Sequence, residues 1–411
     1  MLPRANKSFL FLLSSLNPVP KRTSYSYLPS VFSYLKAYYK TIPRQGNSPP
    51  STIKPLLSVL LLFFVLPAIS AQQSNEEVAL QKAREAIAVM DSGDYKKSIK
   101  MLEEARKLDP ENAIFPYEIA LAHFYMKDYK KAIKELKKLL SHPDVDSQIY
   151  QLLGNTHSVS GNPKRAIQTY GEGLEKFPNS GNLYLERGNV HSYQEEYQEA
   201  LRNYENGISV DPMFPSNYYR AAQIFLASTD IVPGLIYGEI FMNLERTTER
   251  TKEMSKLLYE AYDGAINIYE DSINIDFCEV IINIDPDTFD PEEDFKLPYC
   301  AIYAKSMAMA ALGQKKINPG SLSVIRQVFL DLYYQEDAKE YPVILFDYHK
   351  KMIEVGIFDA YNHYLFQMSD IDRFNTWYSS YEKEFDEFVD WYTKPENLLS
   401  LNAENKYTRR N

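Results

Sequence analysis

Two columns of small side chains, each repeated every 34 residues, constrain the fold of this chain more than any other feature. The first column is Ala86, Ala120, Gly154, Gly188 and Ala222, and the second is Ser98, Ala132, Ala166, Ala200 and Gly234. Residues that end helices close four units at the same interval, at Pro110, Asp144, Pro178 and Pro212. Because apolar side chains recur at helical spacing inside each period, the pattern predicts stacked helix-turn-helix units. Proteins built from such units usually act by binding.

Large rings accompany the small columns within each unit. Where the two helices of a hairpin cross closely, only Ala, Gly or Ser lets the backbones approach, and the rings fill the space beside the crossing. The rings are Tyr95, Tyr129 and Tyr197 after the turn, with Tyr170 and Tyr204 further along their units. Short turns such as residues 92–95 and 160–163 join the predicted helices.

This pattern resembles the tetratricopeptide repeat family, most closely in the third and fourth units. The matching residues are Tyr150, Leu153, Gly154, Ala166, Tyr170, Pro178, Tyr184, Gly188, Tyr197, Ala200, Tyr204 and Pro212. The resemblance implies an all-α, right-handed superhelical array at residues 76–246, with repeats at about 79–112, 113–146, 147–180, 181–214 and 215–246. The chain departs from the family at Lys82 and Pro116, where a large aromatic is preferred, and at Pro233 in the fifth unit.

Beyond Glu245 the period is lost, although helical spacing continues through residues 247–411. One helix is expected at 248–269, followed by an irregular loop near 275–298 with one short strand. Further helices are expected at 299–313, 320–336, 342–355, 357–368 and 370–392. Residues 342–368 resemble a degenerate hairpin, and the aromatic-rich last helix is expected to cap the open end of the stack.

Residues 1–71 are interpreted as an address rather than part of the fold. The apolar run at 56–66 follows Lys54 and precedes a small-residue stretch ending at Ala71, as in a secretory signal peptide whose hydrophobic part spans 55–71. Its length is short of the ~20 residues of a spanning helix. Export to a periplasmic or extracellular location is therefore expected. The alternatives are an organellar transit sequence, or a retained anchor that associates the chain with a membrane.

Charge is divided unevenly between this leader and the rest of the chain. Residues 1–71 hold eight basic side chains and no acidic one, so the other 37 of the 45 basic residues face all 55 acidic ones in residues 72–411. A formal charge of −18 over that region would repel phosphate backbones, and nucleic acid is not expected as a partner. Cys278 and Cys300 are either two buried thiols or, in an exported chain, a disulfide.

Side chains suited to catalysis or metal binding do not form a recognised motif. His123, His157 and His191 share one column, but equivalent positions in neighbouring repeats lie ~10 Å apart, whereas zinc needs its ligands at ~2.1 Å. The acidic stretch at 285–294 lacks the spacing of a known calcium loop. The sequence contains no Gly-rich phosphate loop, nucleophile elbow or zinc-protease motif. No cofactor, metal or enzymatic activity is therefore expected.

In tetratricopeptide proteins the first helix of each repeat lines a concave surface, which implies a peptide-binding groove here. The residues implied are Gln151, Asn155, Asn189, Tyr193, Tyr219, Arg220 and Gln223. Carboxamides on successive repeats can both donate and accept, which suits the backbone of an extended peptide. The family's carboxylate-clamp members hold a partner's C-terminus with Asn and Lys or Arg, whereas this chain has Gln151 where a lysine is expected. The alternative is a hydrated groove of ordinary polar residues.

Together these features predict a non-enzymatic scaffold or adaptor that binds a peptide or a protein partner. An enzyme with an unrecognised site in residues 247–411 is one alternative, and a cluster of paired polar residues in a pocket of that half would favour it. A self-associating structural component is the other alternative, and the sequence does not fix the oligomeric state.

Overall fold

A computed structural model describes residues 74–279, 297–407 and 409, and these fall into two compact units. One unit comprises the described residues up to Ser160, and the other begins at Gly161. The predicted leader at 1–71 and most of the predicted loop at 275–298 lie outside the described residues. None of the helices in the described ranges combines the length and the apolar character that crossing a bilayer requires.

The unit at 74–160 consists of five helices that pack in chain order. They are α1 (Asn75–Asp91), α2 (Tyr95–Leu108), α3 (Ile114–Tyr125), α4 (Tyr129–Leu139) and α5 (Ser147–Val159). Ser74 begins α1 with a capping box, because its hydroxyl accepts from the Glu77 amide while the Glu77 carboxylate accepts from the Ser74 amide. Ala86, Ala120 and Ala132 are fully enclosed where neighbouring helices cross, as the small columns predict.

The unit beginning at Gly161 continues the hairpins. Its repeat helices are α6 (Pro163–Lys176), α7 (Gly181–Tyr193), α8 (Tyr197–Val210), α9 (Pro215–Leu226) and α10 (Val232–Leu244), followed by α11 (Glu249–Ala265). Pro233 occupies the first turn of α10, where its missing N–H costs nothing, so the second helix of the fifth unit forms. The helices α5, α7, α9 and α11 begin 34 residues apart. Helical spacing therefore outlasts the residue columns by one further helix.

Close approach of α7 and α8 depends on Gly188. A Cβ at this position would lie 2.5 Å from Cε1 of Tyr204, which is closer than non-bonded atoms tolerate. Tyr204 is itself 1% exposed, so its ring has no room to withdraw. The small column and the aromatic position thus meet at one helix crossing.

The inter-helix turns share a left-handed residue at the 34-residue period. Positive φ occurs at Gly93 (92°), Lys127 (60°), Gly161 (85°) and Glu195 (62°). Glycine adopts this conformation freely, whereas Lys127 and Glu195 do so against a small steric cost. Backbone geometry is therefore more regular than the residue types at these turns.

After α11 the chain forms a short antiparallel ladder of β1 (Ile266–Ile268) and β2 (Ile273–Ile275), with Ile266 opposite Ile275. The single helix predicted at 248–269 is thus wrong at its C-terminal end, since α11 stops at Ala265. β-branched isoleucines alternating with asparagines favour a strand there. Cys278 then pairs with Asp230 in an isolated bridge and is joined to Cys300 by a disulfide.

Six further helices follow the second gap in the described residues. They are α12 (Tyr299–Ala310), α13 (Pro319–Glu336), α14 (Ile344–Glu354), α15 (Phe358–Leu365), α16 (Ile371–Ser380) and α17 (Glu382–Tyr392). The prediction of one long helix at 370–392 is wrong, because the chain breaks at Tyr381. The helices α14 and α15 pack together across Gly356 at φ 79°, the hairpin arrangement expected at 342–368. The all-α class with successive helical hairpins is confirmed.

Candidate peptide-binding surface

The first helices of the repeats in the second unit lie side by side. The helix α7 packs against α9, and α9 packs against α11, so three helices in succession form what we call the first-helix row. Five of the seven sequence-predicted residues belong to α7 and α9. They are Asn189, Tyr193, Tyr219, Arg220 and Gln223.

Two of these residues are enclosed by α11 rather than open to a ligand. Tyr219 is 4% exposed and donates its hydroxyl to Oε2 of Glu253 at 2.7 Å. Gln223 is 7% exposed and donates to Oε1 of the same carboxylate at 3.0 Å. Burial, together with the charge of Glu253, raises the pKa of Tyr219, so this hydroxyl remains a donor. Both side chains fix α9 to α11.

Arg220 extends this arrangement to the edge of the row. Its guanidinium donates to Oε1 of Gln223 at 3.1 Å and lies 5.5 Å from the ring centre of Tyr219. On the other side, Arg250 lies 5.0 Å from the same ring and donates to the buried Glu245. Two guanidinium groups therefore flank one aromatic face, and each is oriented by a neighbouring acceptor.

Asn189 and Tyr193 occupy α7 in contrasting surroundings. Asn189 accepts from the hydroxyl of Tyr204 at 3.0 Å and donates to Glu186 at 3.2 Å, so its carboxamide is held in one orientation. Tyr193 is 80% exposed, one helical turn further along the same helix. An exposed ring beside a fixed polar group is a feature of recognition surfaces.

Gln151 and Asn155 lie on α5, in the unit at 74–160, and both are half-buried. They are one helical turn apart on the helix that packs against α3 and α4. The seven predicted residues are thus distributed over two units, and a role in peptide binding remains a prediction for all of them.

Glu253 and Arg250 were missed by the residue columns because those columns lapse after Glu245. The helix period contains the signal, since Glu253 follows Tyr219 by 34 residues on a helix that begins 34 residues after α9. Helix starts identify the first-helix row where small residues no longer do.

The histidine column consists of three unlike environments. His123 is half-buried, and burial lowers its pKa, while the Nδ1 of His191 lies 2.6 Å from the carboxylate of Glu196. His157 is buried. Over the described ranges, no three His, Cys, Asp or Glu side chains are grouped closely enough to hold a metal ion.

A second cluster of polar side chains lies inside the later helices. Oε1 of Glu239 on α10 receives Arg326 at 2.5 Å, His349 at 2.7 Å and Tyr361 at 2.8 Å, from α13, α14 and α15. Arg326 also donates to Asn362, and Asn243 donates to Tyr361. Four helices are therefore joined through one carboxylate.

Burial and charge oppose each other in this cluster. Burial alone would raise the pKa of Glu239, but the positive charge of Arg326 and the His349 contact outweigh it and lower the pKa to about 2. Burial lowers the pKa of His349, which favours the neutral ring. Glu239, Arg326 and His349 are each 2–3% exposed, so a substrate could not reach them without opening the core. The cluster is built as an internal cross-link.

The comparisons with known proteins agree with the repeat geometry. Residues 89–156 match the family model described as tetratricopeptide repeat. No curated protein sequence matches the chain.

Several solved structures show similar helical arrays. MamA is 19% identical with a TM-score of 0.33, covering 39% of this chain and 94% of its own. PilF from Pseudomonas aeruginosa is 16% identical with a TM-score of 0.39, covering 46% and 85%. YrrB, described as a tetratricopeptide protein with an unusual peptide-binding site, is 16% identical with a TM-score of 0.31, covering 42% and 89%. At these scores the likeness carries no functional inference. The family match and the hairpins spaced by 34 residues identify the chain as a tetratricopeptide repeat protein.

Proposed function

We propose that this protein is a non-enzymatic scaffold that binds a peptide or protein segment along the first-helix row. Tetratricopeptide repeat proteins are in general protein-interaction scaffolds. The observation that carries the proposal is the ring of Tyr193, which is 80% exposed on a helix whose neighbouring polar group is already fixed. An exposed tyrosine offers a large contact area with little conformational entropy to lose on binding.

The rest of the row supports the same function by being pre-organised. Asn189 and Arg220 are each held by a neighbour, so a ligand that contacts them does not have to order them first. The guanidinium of Arg220 presents several donors, which suits backbone carbonyls or a carboxylate of an extended segment. The negative charge of residues 72–411 favours neutral or basic partners over nucleic acid.

Replacing Tyr193 tests the proposal directly. Partners would be crosslinked to the full-length protein in native extracts and quantified for wild type and Tyr193→Ala. Loss of a central aromatic contact of about 2 kcal/mol lowers partner recovery roughly thirtyfold. Tyr269→Ala is the matched control, because Tyr269 is 61% exposed on the β-ladder, away from this row. Equal recovery from all three proteins would refute binding at the first-helix row.

A combined variant extends the test to both units. Asn155→Ala/Asn189→Ala/Arg220→Ala removes predicted polar contacts while leaving Tyr193 in place. Because Asn189 accepts from Tyr204, the unfolding midpoint of this variant is measured alongside partner recovery. A folded triple variant that retains every partner would limit recognition to the aromatic contact.

We further propose that the chain is exported to a periplasmic or extracellular compartment. The support comes from the leader at 1–71 and from the disulfide between Cys278 and Cys300, a bond typical of oxidising compartments. A membrane-anchored or organellar protein remains the alternative. Fractionation with N-terminal sequencing decides between them, since cleavage after Ala71 would expose Gln72 as the first residue. An intact N-terminus in a cytoplasmic fraction would rule out export.

A further inference from the structure

A cleft of about 470 Å³ lies in the second unit, apart from the first-helix row. Four segments build it: the start of α10, the start of α12, the start of α14, and the chain at 404–409. The disulfide fixes one wall, because Cys300 lines the cleft while Cys278 pairs with Asp230 on the opposite segment. A cavity of this volume, with a few polar groups on apolar walls, is of the size that binds small ligands.

The walls are aromatic and aliphatic. Tyr299 stacks on Tyr341 with ring centres 5.1 Å apart, and Tyr407 packs against Tyr237 behind the cleft at 5.4 Å. Val232, Pro233, Pro298, Pro342, Val343 and Ile344 complete the lining. Such walls accommodate methylene groups and present ring faces that attract cations.

Two buried polar atoms belong to residues that line this cleft. Within the described part of the chain, neither Oδ1 of Asp230 nor the hydroxyl of Tyr299 has a hydrogen-bond partner. Leaving such groups unpaired costs about 1–3 kcal/mol each. A ligand that donates to the carboxylate and contacts the hydroxyl would remove this cost.

The charges around the cleft favour a positively charged ligand. Asp230, Asp347 and Glu404 line it, and its two basic side chains are engaged by other acceptors. Lys406 donates to the carbonyl of Ala403, and Arg409 lies 3.5 Å from the buried carboxylate of Glu205. Burial raises the pKa of Asp230, while the charge of Arg409 acts in the opposite direction. A cation beside the carboxylate would stabilise its ionised form.

We propose that this cleft binds a primary ammonium group on an apolar stem, as carried by a free alkylamine or by a lysine side chain. The ammonium group donates to Oδ1 of Asp230 and lies against the tyrosine rings, while its methylenes contact the proline and valine walls. This site is separate from the proposed peptide surface and does not depend on it.

Calorimetric titration of the full-length, disulfide-bonded protein tests the proposal with matched probes. Hexylamine is compared with hexanol, and N-acetyl-lysine methylamide with N-acetyl-norleucine methylamide. We expect each ammonium probe that fits to bind at least about tenfold more tightly than its neutral partner. Binding of hexylamine alone would identify a free amine as the ligand, and binding of the lysine amide would identify a side chain.

Variants locate the binding. Asp230→Asn keeps the shape but removes the charge, and it is expected to reduce ammonium affinity to that of the neutral probe. Tyr299→Phe is expected to weaken binding by roughly threefold through one lost hydrogen bond. Asp347→Asn is the control, since that carboxylate already accepts from Tyr334 at 2.6 Å and its loss should change affinity less than about twofold.

The unfolding midpoint of each variant is measured first. If Asp230→Asn does not fold, the comparison of probes and the Tyr299→Phe variant still decide the question. Equal affinities for ammonium and neutral probes, or no saturable binding of any probe, would overturn the proposal.

Discussion

The repeat helices and the later helices are held together over very different distances along the chain. Gly188 and Tyr204 meet across one hairpin, 16 residues apart, and the same kind of contact recurs with each period. By contrast, Glu239 binds His349 across 110 residues, and Arg246 donates to the carbonyl of Tyr392 across 146. Local packing leaves a period in the sequence, whereas long-range pairing leaves none.

The two regions also differ in what fills their interiors. Small apolar residues and tyrosine rings fill the hairpins, so shape complementarity determines their stability. The later helices enclose an ion cluster, whose stability depends on every partner being present. Each region should therefore be sensitive to a different class of substitution, which the following experiments examine.

Removing the cation of the cluster should have the largest effect. Arg326→Ala leaves Glu239 buried without its main partner, and we expect a loss of about 3–5 kcal/mol in the free energy of unfolding. Urea unfolding measures it. Arg373→Ala, whose side chain is 52% exposed beside Asp370, is the control and should lose less than about 1 kcal/mol. Similar losses in both variants would show that burial does not make the cluster special.

Acid should weaken the cluster next. Because the folded-state pKa of Glu239 is lowered from 4.5 to about 2, its stabilisation is present above pH 4.5 and is lost as pH falls toward 2. That difference corresponds to roughly 3 kcal/mol. The lowered pKa of His349 adds a loss in the same direction, which begins as pH falls below 6.5.

Glu239→Gln should therefore show a shallower acid profile than wild type when urea unfolding is followed from neutral pH to pH ~3. Glu249→Gln changes an exposed carboxylate, 88% accessible, and should retain the wild-type slope. Parallel profiles for wild type and Glu239→Gln would contradict the assigned role of Glu239.

A single methyl group should have the smallest effect, and only at a helix crossing. Gly188→Ala brings a Cβ against the Tyr204 ring, and we expect a loss of about 1–3 kcal/mol. Gly171→Ala, in the middle of α6 with nothing within 4 Å of the added carbon, should instead be neutral or stabilise by up to ~1 kcal/mol. Thermal unfolding of the two variants side by side makes the comparison. A stabilised Gly188→Ala would mean that the small column does not reflect crowding.

The repeat architecture could be predicted from sequence because its determinants are local. Columns such as Ala120 and Gly188 recur at one interval, and the turns recur with them even where Lys127 replaces glycine. The end of α11 at Ala265 and the break at Tyr381 could not be predicted in this way. Both depend on what the chain meets in space, namely the β2 strand in one case and the packing of α17 against α15 in the other.

The candidate surface was predicted only in part for a related reason. The helix face of Asn189 and Tyr219 follows from the period, but the exposure of each residue depends on the next helix in the row. Glu253 on α11 encloses Tyr219 and Gln223 and leaves Tyr193 outward. The cleft beside Asp230 was not predicted at all, because its walls come from four distant segments.

The bond between Cys278 and Cys300 has a consequence for the covalent connectivity of the chain. The two cysteines are 22 residues apart, so a protease that cuts once between them would separate the backbone without releasing a fragment. On a non-reducing gel the nicked protein would migrate as one species, and only a reductant would part the two chains. The repeat helices and the later helices would thus stay tethered after cleavage.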